Sequence, residues 1–128
     1  MSKREQRRRR EVLLVDDDNA FREVYHELLV DEGFVVHEAN DVPSARAAFS
    51  KCQPNLVILD LMLPPANTPA AGAALCDEFL ASSPGTKVIT ISGTGDTKLA
   101  LSTVKRGAYD FLTKPIEPDV LFAILKRA

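Results

Sequence analysis

The chain has 128 residues, of which 45% are hydrophobic, which is the size and composition of one domain with a single core. It contains no apolar run of about 20 residues and no signal-peptide core, so we expect a soluble cytoplasmic protein without a membrane partner. The cysteines Cys52 and Cys76 fit no metal-ligand spacing and predict free thiols. The formal net charge is only −2, but it is unevenly distributed.

The chain begins with a basic segment, KREQRRRR at residues 3–10, that holds six basic residues and one acidic residue. Residues 11–128 hold ten basic and 17 acidic residues, a net charge of −7. Because the basic run lacks hydrophobic periodicity, it predicts a disordered tail over residues 1–10. We expect one acidic domain over residues 11–128 that does not itself bind nucleic acid.

Strand and helix patterns alternate along this domain. The first strand, VLLV at residues 12–15, is apolar throughout, as in a strand buried on both faces of a parallel sheet. An amphipathic helix follows, with Asp18 or Asn19 as N-cap and Gly33 as the stop. A short strand, FVVHEA, and a helix, VPSARAAFSKC, lead to a second fully apolar strand, LVIL, which ends at Asp60.

The second half of the chain continues the alternation. A loop rich in proline and alanine, LPPANTPAAG, precedes a third helix, AALCDEFLAS. A strand, VITIS, leads to a helix closed by Gly107, and a short strand, YDFLTKPI, leads to a last helix, EPDVLFAILKRA. This order predicts an α/β fold with a five-stranded parallel sheet and helices on both faces, in the flavodoxin-like strand order 2-1-3-4-5.

Carboxylates end two strands that this order makes neighbours. Asp16 and Asp17 follow the first strand and Asp60 ends the third, so we expect all three at one edge of the sheet. Clustered carboxylates need a cation, and Mg²⁺ prefers such oxygen ligands. Ser92 and Lys114, at the ends of strands four and five, should reach the same edge. A carboxylate nucleophile, a divalent ion, a hydroxyl and an ammonium group together indicate phosphoryl transfer.

Four motifs in this order, LLVDDDN, VILDLMLP, ISG and GAYDFLTKPI, resemble the receiver domain of two-component response regulators. The resemblance extends from about residue 11 to the end of the chain. It implies that Asp60 is the phospho-acceptor, that Asp17 binds Mg²⁺ directly, and that Asp16 binds it through water. The backbone carbonyl of Met62 would supply another ligand, and Mn²⁺ is the alternative ion.

The resemblance also implies how the remaining residues of these motifs act. Ser92 and Lys114 would contact the phosphoryl oxygens, and the Lys114–Pro115 peptide bond would be cis. Phe111 matches the aromatic switch position, where the ring turns inward as Ser92 moves toward the phosphate. Phosphorylation would then change the face formed by helix four, strand five and helix five.

The implied function is a phosphorylation-dependent signalling switch, and not an enzyme beyond accepting and slowly losing its own phosphoryl group. The phosphoryl donor would be a histidine kinase, a phosphotransfer protein or a small molecule such as acetyl phosphate. The altered face would control a partner, an output domain or a homodimer. The residues leave two alternatives open, a haloacid-dehalogenase-like phosphatase and an interaction module that works without phosphorylation.

Two features depart from the usual family pattern or vary within it. The loop after the phospho-acceptor, over residues 64–72, is enlarged, and its prolines favour an ordered loop. Asp18, Met62 and Thr94 occupy positions that tune the lifetime of the phosphoryl group. Because Met62 is apolar and cannot hold an attacking water, we expect a long-lived phosphoryl group.

Overall fold

The computed structural model describes residues 10–93 and 95–128. The five strands are β1 (Glu11–Val15), β2 (Val35–Ala39), β3 (Leu56–Asp60), β4 (Lys87–Ser92) and β5 (Asp110–Thr113). All neighbouring strands pair in parallel, in the order β2-β1-β3-β4-β5. The fold class and strand order predicted from the sequence are confirmed.

Five helices connect the strands: α1 (Asn19–Asp31), α2 (Val42–Cys52), α3 (Pro69–Ser82), α4 (Thr97–Lys105) and α5 (Pro118–Arg127). Helices α1 and α5 cover one face of the sheet, and α2, α3 and α4 cover the other. Alternate residues of β1 point to opposite faces, with Leu13 and Val15 in one core and Val12 and Leu14 in the other. This double burial is the reason that β1 is apolar at consecutive positions.

Side-chain caps fix where the first two helices begin. The Asp18 carboxylate accepts a hydrogen bond from the Phe21 N–H and caps α1. Asp41 and Ser44 form a reciprocal capping box at the start of α2. Gly33, with φ of +97°, follows the end of α1, as predicted. The two N-terminal caps, Asp18 and Asp41, satisfy backbone N–H groups that have no partner inside the helix.

The third helix begins earlier than the sequence analysis predicted. Residues 69–72 had been assigned to the enlarged loop, but α3 starts at Pro69, and the Thr68 hydroxyl accepts a hydrogen bond from the Ala71 N–H. The proline was misinterpreted as a loop residue, whereas in the first helical turn its missing N–H costs nothing. The loop therefore ends at Thr68, which forms a β-bridge with Leu63. The Val42 N–H at the start of α2 donates a hydrogen bond to the Pro64 carbonyl of this loop.

The predicted basic tail falls mainly on residues 1–9, which lie outside the described residues. Arg10 is described, and its guanidinium donates to the Leu125 carbonyl at 3.1 Å. Across residues 10–93 and 95–128, no helix has both the length and the apolar character that a membrane crossing requires.

Candidate metal and phosphoryl-acceptor site

Three carboxylates meet at the carboxyl edge of β1 and β3. One oxygen each from Asp16, Asp17 and Asp60 lies within 4.8 Å of the others. Asp16 is fully buried and Asp60 is 5% exposed, whereas Asp17 faces solvent. Such a set of hard oxygen donors, open on one side to water, fits a Mg²⁺ ion.

The sheet register and local hydrogen bonds bring these carboxylates together. Val15 is level with Leu59 in the β1–β3 ladder, so the next residues along the two strands, Asp16 and Asp60, lie side by side. The Asp18 N–H donates to Asp16 Oδ1 at 2.9 Å, and the Met62 N–H donates to Asp60 Oδ1 at 3.0 Å. Each buried carboxylate is thereby held in one orientation.

Lys114 supplies the positive charge that these carboxylates need. Its Nζ lies 3.1 Å from Asp60 Oδ2 and 3.1 Å from Asp16 Oδ2. Burial disfavours the ammonium ion, but the two negative charges outweigh that effect and raise the pKa of Lys114. Burial also raises the pKa of Asp16, to about 6, despite its hydrogen bond from Asp18. The lysine thus bridges the two buried acids.

The loop after β5 and the side chain of Phe21 set the position of Lys114. The Lys114 N–H donates to the Ser92 carbonyl at 2.8 Å. The Lys114–Pro115 peptide bond is cis. The ammonium group lies 5.0 Å from the centre of the Phe21 ring, within the range of a cation–π contact. The Lys114 backbone is thus held at the end of β4, while its ammonium group lies beside the two acids.

Ser92, the last residue of β4, has a side-chain hydroxyl in an uncommon environment. The residue is 1% exposed, and its hydroxyl has no hydrogen-bond partner among the described residues. The neighbouring buried hydroxyl of Thr90, by contrast, pairs with Thr103 at 2.9 Å. A buried hydroxyl without a partner is uncommon and costs free energy, so it points to a ligand that the hydroxyl would bind.

The remaining predicted positions lie around this cluster. Phe111 is half-buried and packs against a small cluster of Leu61, Ala73 and Ala100. The Met62 side chain is 42% exposed beside the acids. Asp18 is exposed and serves as the α1 cap, and Thr94 lies outside the described residues.

One further residue, Arg22, belongs to this site and was not predicted from the sequence. Arg22, six positions after Asp16, donates to the Asp16 backbone carbonyl at 2.7 Å. A basic residue in the first turn of a helix that follows an acidic strand end is the available sequence signal, since a cation there opposes the helix dipole. Its acceptor partners come from different elements, which the sequence alone does not show.

The fold and site define a class of protein. Residues 12–126 match the response regulator receiver domain family, and the chain belongs to that family. Receiver domains are the signalling domains of two-component response regulators and bind Mg²⁺ at an acidic pocket.

Individual members of the family can be compared with this chain by sequence identity and by coverage. The chain is 36% identical over 114 residues to the nitrogen assimilation regulatory protein NtrX of Azorhizobium caulinodans, covering 89% of this chain and 25% of NtrX. It is 30% identical over 115 residues to the chemotaxis protein CheY of Listeria monocytogenes, covering 89% and 93% of the two chains. The crystal structure of the NtrX receiver domain from Brucella abortus superposes with a TM-score of 0.82 at 39% identity, covering 91% and 95% of the two chains. The chain thus spans about a quarter of the length of the NtrX relative.

Mg²⁺ is expected to stabilise the protein through the acidic cluster. At ten times its dissociation constant, an ion that binds only the folded state adds about 1.4 kcal/mol to the free energy of unfolding. Urea unfolding with Mg²⁺ and with EDTA measures this gain. Asp17→Asn should lose most of it, whereas Glu23→Gln, which removes an exposed charge from α1, should keep it. An equal Mg²⁺ effect in parent and Asp17→Asn would rule out Asp17 as a ligand.

Proposed function

We propose that the protein is a cytoplasmic, phosphorylation-dependent switch that accepts a phosphoryl group on Asp60. One observation carries the proposal: the buried Asp60 carboxylate lies beside two further acids and the Lys114 ammonium. The neighbouring strand β4 ends there at Ser92, whose buried hydroxyl has no hydrogen-bond partner among the described residues. Asp16, Asp17, Asp60 and the Met62 carbonyl would hold Mg²⁺, or Mn²⁺ in its place. The donor would be a histidine kinase, a phosphotransfer protein or acetyl phosphate.

In the proposed transfer, each of these side chains has a distinct part. A carboxylate oxygen of Asp60 forms a bond to phosphorus as the bond to the donor breaks, and the donor group leaves with the electron pair. When bound, Mg²⁺ neutralises the phosphoryl oxygens. The Met62 N–H keeps the Asp60 carboxylate oriented, while Lys114 and Ser92 donate to the phosphoryl oxygens. Catalysis here is positioning and charge neutralisation.

The switch would act through a population shift. A phosphoryl group changes the conformational equilibrium only if it contacts one state better than the other. The Ser92 hydroxyl offers such a contact, because it has no partner among residues 10–93 and 95–128 and would gain one. Its movement would let Phe111 turn inward and would alter the face of α4, β5 and α5. That face would engage a protein partner, an output domain or a second copy of the chain.

The amounts of acetate and phosphate released during reaction with acetyl phosphate separate this function from that of a phosphatase. We expect a burst of at most one equivalent of acetate per chain, followed by slow turnover that is limited by loss of phosphate from Asp60. A haloacid-dehalogenase-like phosphatase would instead release many equivalents of phosphate rapidly, because it hydrolyses its aspartyl phosphate fast. An interaction module that works without phosphorylation would show neither burst nor turnover, with acetyl phosphate or with a kinase.

Removing the Ser92 hydroxyl is expected to affect function without harming the fold. Ser92→Ala should leave the free energy of unfolding unchanged or higher, because it removes a buried group that lacks a partner in the described part of the chain. It should slow phosphorylation by acetyl phosphate about tenfold, since a hydrogen bond to a charged oxygen is worth about 1.5 kcal/mol. Thr90→Val, which breaks the pair with Thr103, should instead lower stability by about 1 kcal/mol. A destabilised Ser92→Ala that accepts phosphate at the parent rate would contradict this assignment.

The exposed Met62 side chain is expected to prolong the life of the phosphoryl group. Its thioether offers no strong hydrogen bond that would hold an attacking water beside Asp60. Met62→Asn should therefore lose phosphate faster, by about tenfold if one well-placed hydrogen bond orients the water. The decay of phosphoprotein after removal of the donor measures this, and an unchanged decay rate would refute it.

A further inference from the structure

The Arg22 side chain is mostly buried, and each of its three guanidinium nitrogens donates a hydrogen bond. Its side chain is 15% exposed. Nη1 donates to the Asp16 carbonyl at 2.7 Å, Nη2 to Asn19 Oδ1 at 2.7 Å, and Nε to Glu38 Oε1 at 3.0 Å. Arg22 therefore joins the first turn of α1 to the end of β1 and to β2.

The acceptor on β2 also lies close to a second residue of α1. Glu38 lies opposite Leu14 in the β1–β2 ladder, and its Oε2 lies 2.7 Å from His26 Nδ1. Glu38 thereby receives one contact on each carboxylate oxygen, from two residues of α1. The planar guanidinium spreads its donors over three nitrogens, whereas lysine carries all of its donors on one nitrogen.

We propose that Arg22 is a positioning residue for the metal ligands. The carbonyl it binds belongs to the peptide that links Asp16 to Asp17, and the N–H of Asp16 is bonded to the Ala39 carbonyl at 3.1 Å. The backbone of Asp16 is thus fixed on both sides, and the peptide that leads into Asp17 is fixed with it. This inference rests on the proposed function, because it assumes that the two carboxylates bind Mg²⁺.

Charge alone would give Arg22 the opposite effect. A guanidinium beside a cation site repels the cation, so removing it would tighten Mg²⁺ binding if charge were its only contribution. Positioning predicts weaker binding, because the carboxylates lose a shared geometry. The sign of the change in affinity therefore separates the two roles.

Calorimetric titration with Mg²⁺ alone tests the proposal on the parent, Arg22→Met, Arg22→Lys and Arg46→Met. Arg46 is the control, since it also pairs with a glutamate, through two bonds to Glu78 at 2.9 and 2.8 Å, but on the other face of the sheet. We expect about tenfold weaker Mg²⁺ binding in Arg22→Met, the lower end for loss of a group that orients metal ligands. Arg22→Lys should also bind more weakly, and Arg46→Met should match the parent.

The outcomes distinguish this proposal from the proposed function. A parent that binds no Mg²⁺ contradicts the proposed function and this inference together. A parent that binds Mg²⁺ beside an Arg22→Met that binds it equally or more tightly overturns the positioning role alone. Faster amide exchange at Asp17 and Asp18 in the metal-free Arg22 variants would support it independently. If Arg22→Met does not fold, Arg22→Lys, which keeps the charge, decides by the same comparison with the parent.

Discussion

Replacement of Gly72 by alanine is expected to destabilise the protein by about 3 kcal/mol, the upper end of the usual cost of overpacking. The Gly72 N–H donates to the Leu61 carbonyl at 3.0 Å, which draws α3 against the segment after Asp60. A Cβ at this position would overlap the carbonyl oxygen, the Cα and the carbonyl carbon of Leu61. Because these are backbone atoms, the helix or the Leu61–Met62 segment must move. We therefore expect slower phosphorylation as well.

Gly85→Ala is the matched control for this prediction. A Cβ at Gly85 has no atom within 4 Å, and the residue does not need a left-handed backbone. Its substitution should change the free energy of unfolding by less than about 0.5 kcal/mol. Urea unfolding of both variants measures the difference. A Gly72→Ala protein as stable as Gly85→Ala would show that α3 does not lie as close to Leu61 as described.

Replacement of Lys114 by methionine is expected to slow phosphorylation about 100-fold, the usual cost of losing one preorganised charge-stabilising donor. The ammonium group contacts both Asp16 and Asp60, and in the proposed function it donates to the phosphoryl oxygens. Mg²⁺ binding should persist or tighten, because the substitution removes a positive charge that competes with the ion for the same oxygens.

Lys87→Met provides the comparison. Lys87 begins β4 at the opposite edge of the sheet, where its Nζ lies 5.9 Å from the Tyr109 ring centre. Rates of phosphorylation by acetyl phosphate and Mg²⁺ titrations of both variants, with the parent, test the prediction. Loss of Mg²⁺ binding in Lys114→Met, or a phosphorylation rate like that of Lys87→Met, would contradict the assigned role.

The acidic cluster could be predicted from the sequence because few physical rules were needed. Two apolar strands that end in carboxylates, together with the rule that sites lie at the carboxyl ends of parallel strands, place Asp16 and Asp60 side by side. The register of β1 and β3 then shows that placement. Local features such as the Asp18 cap and the Gly33 stop were equally accessible, because each depends on a few neighbouring residues.

Features that depend on distant residues could not be predicted. The Ser92 hydroxyl has no partner among the residues that the structure describes, and this depends on every element packed around it. The role of Arg22 depends on Glu38, which reaches it from another strand. The start of α3 was predicted wrongly for a different reason. Proline is common both in loops and in the first turn of a helix, so Pro69 alone does not show which of the two it occupies.

Intact mass after incubation with acetyl phosphate and Mg²⁺, measured on the parent and on Asp60→Asn, tests the central claim most directly. We expect a gain of about 80 Da, the mass of one phosphoryl group, in the parent alone. The gain should disappear when EDTA replaces Mg²⁺. An equal gain in Asp60→Asn, or no gain in a folded parent that binds Mg²⁺ and is offered both acetyl phosphate and a kinase, would contradict the account.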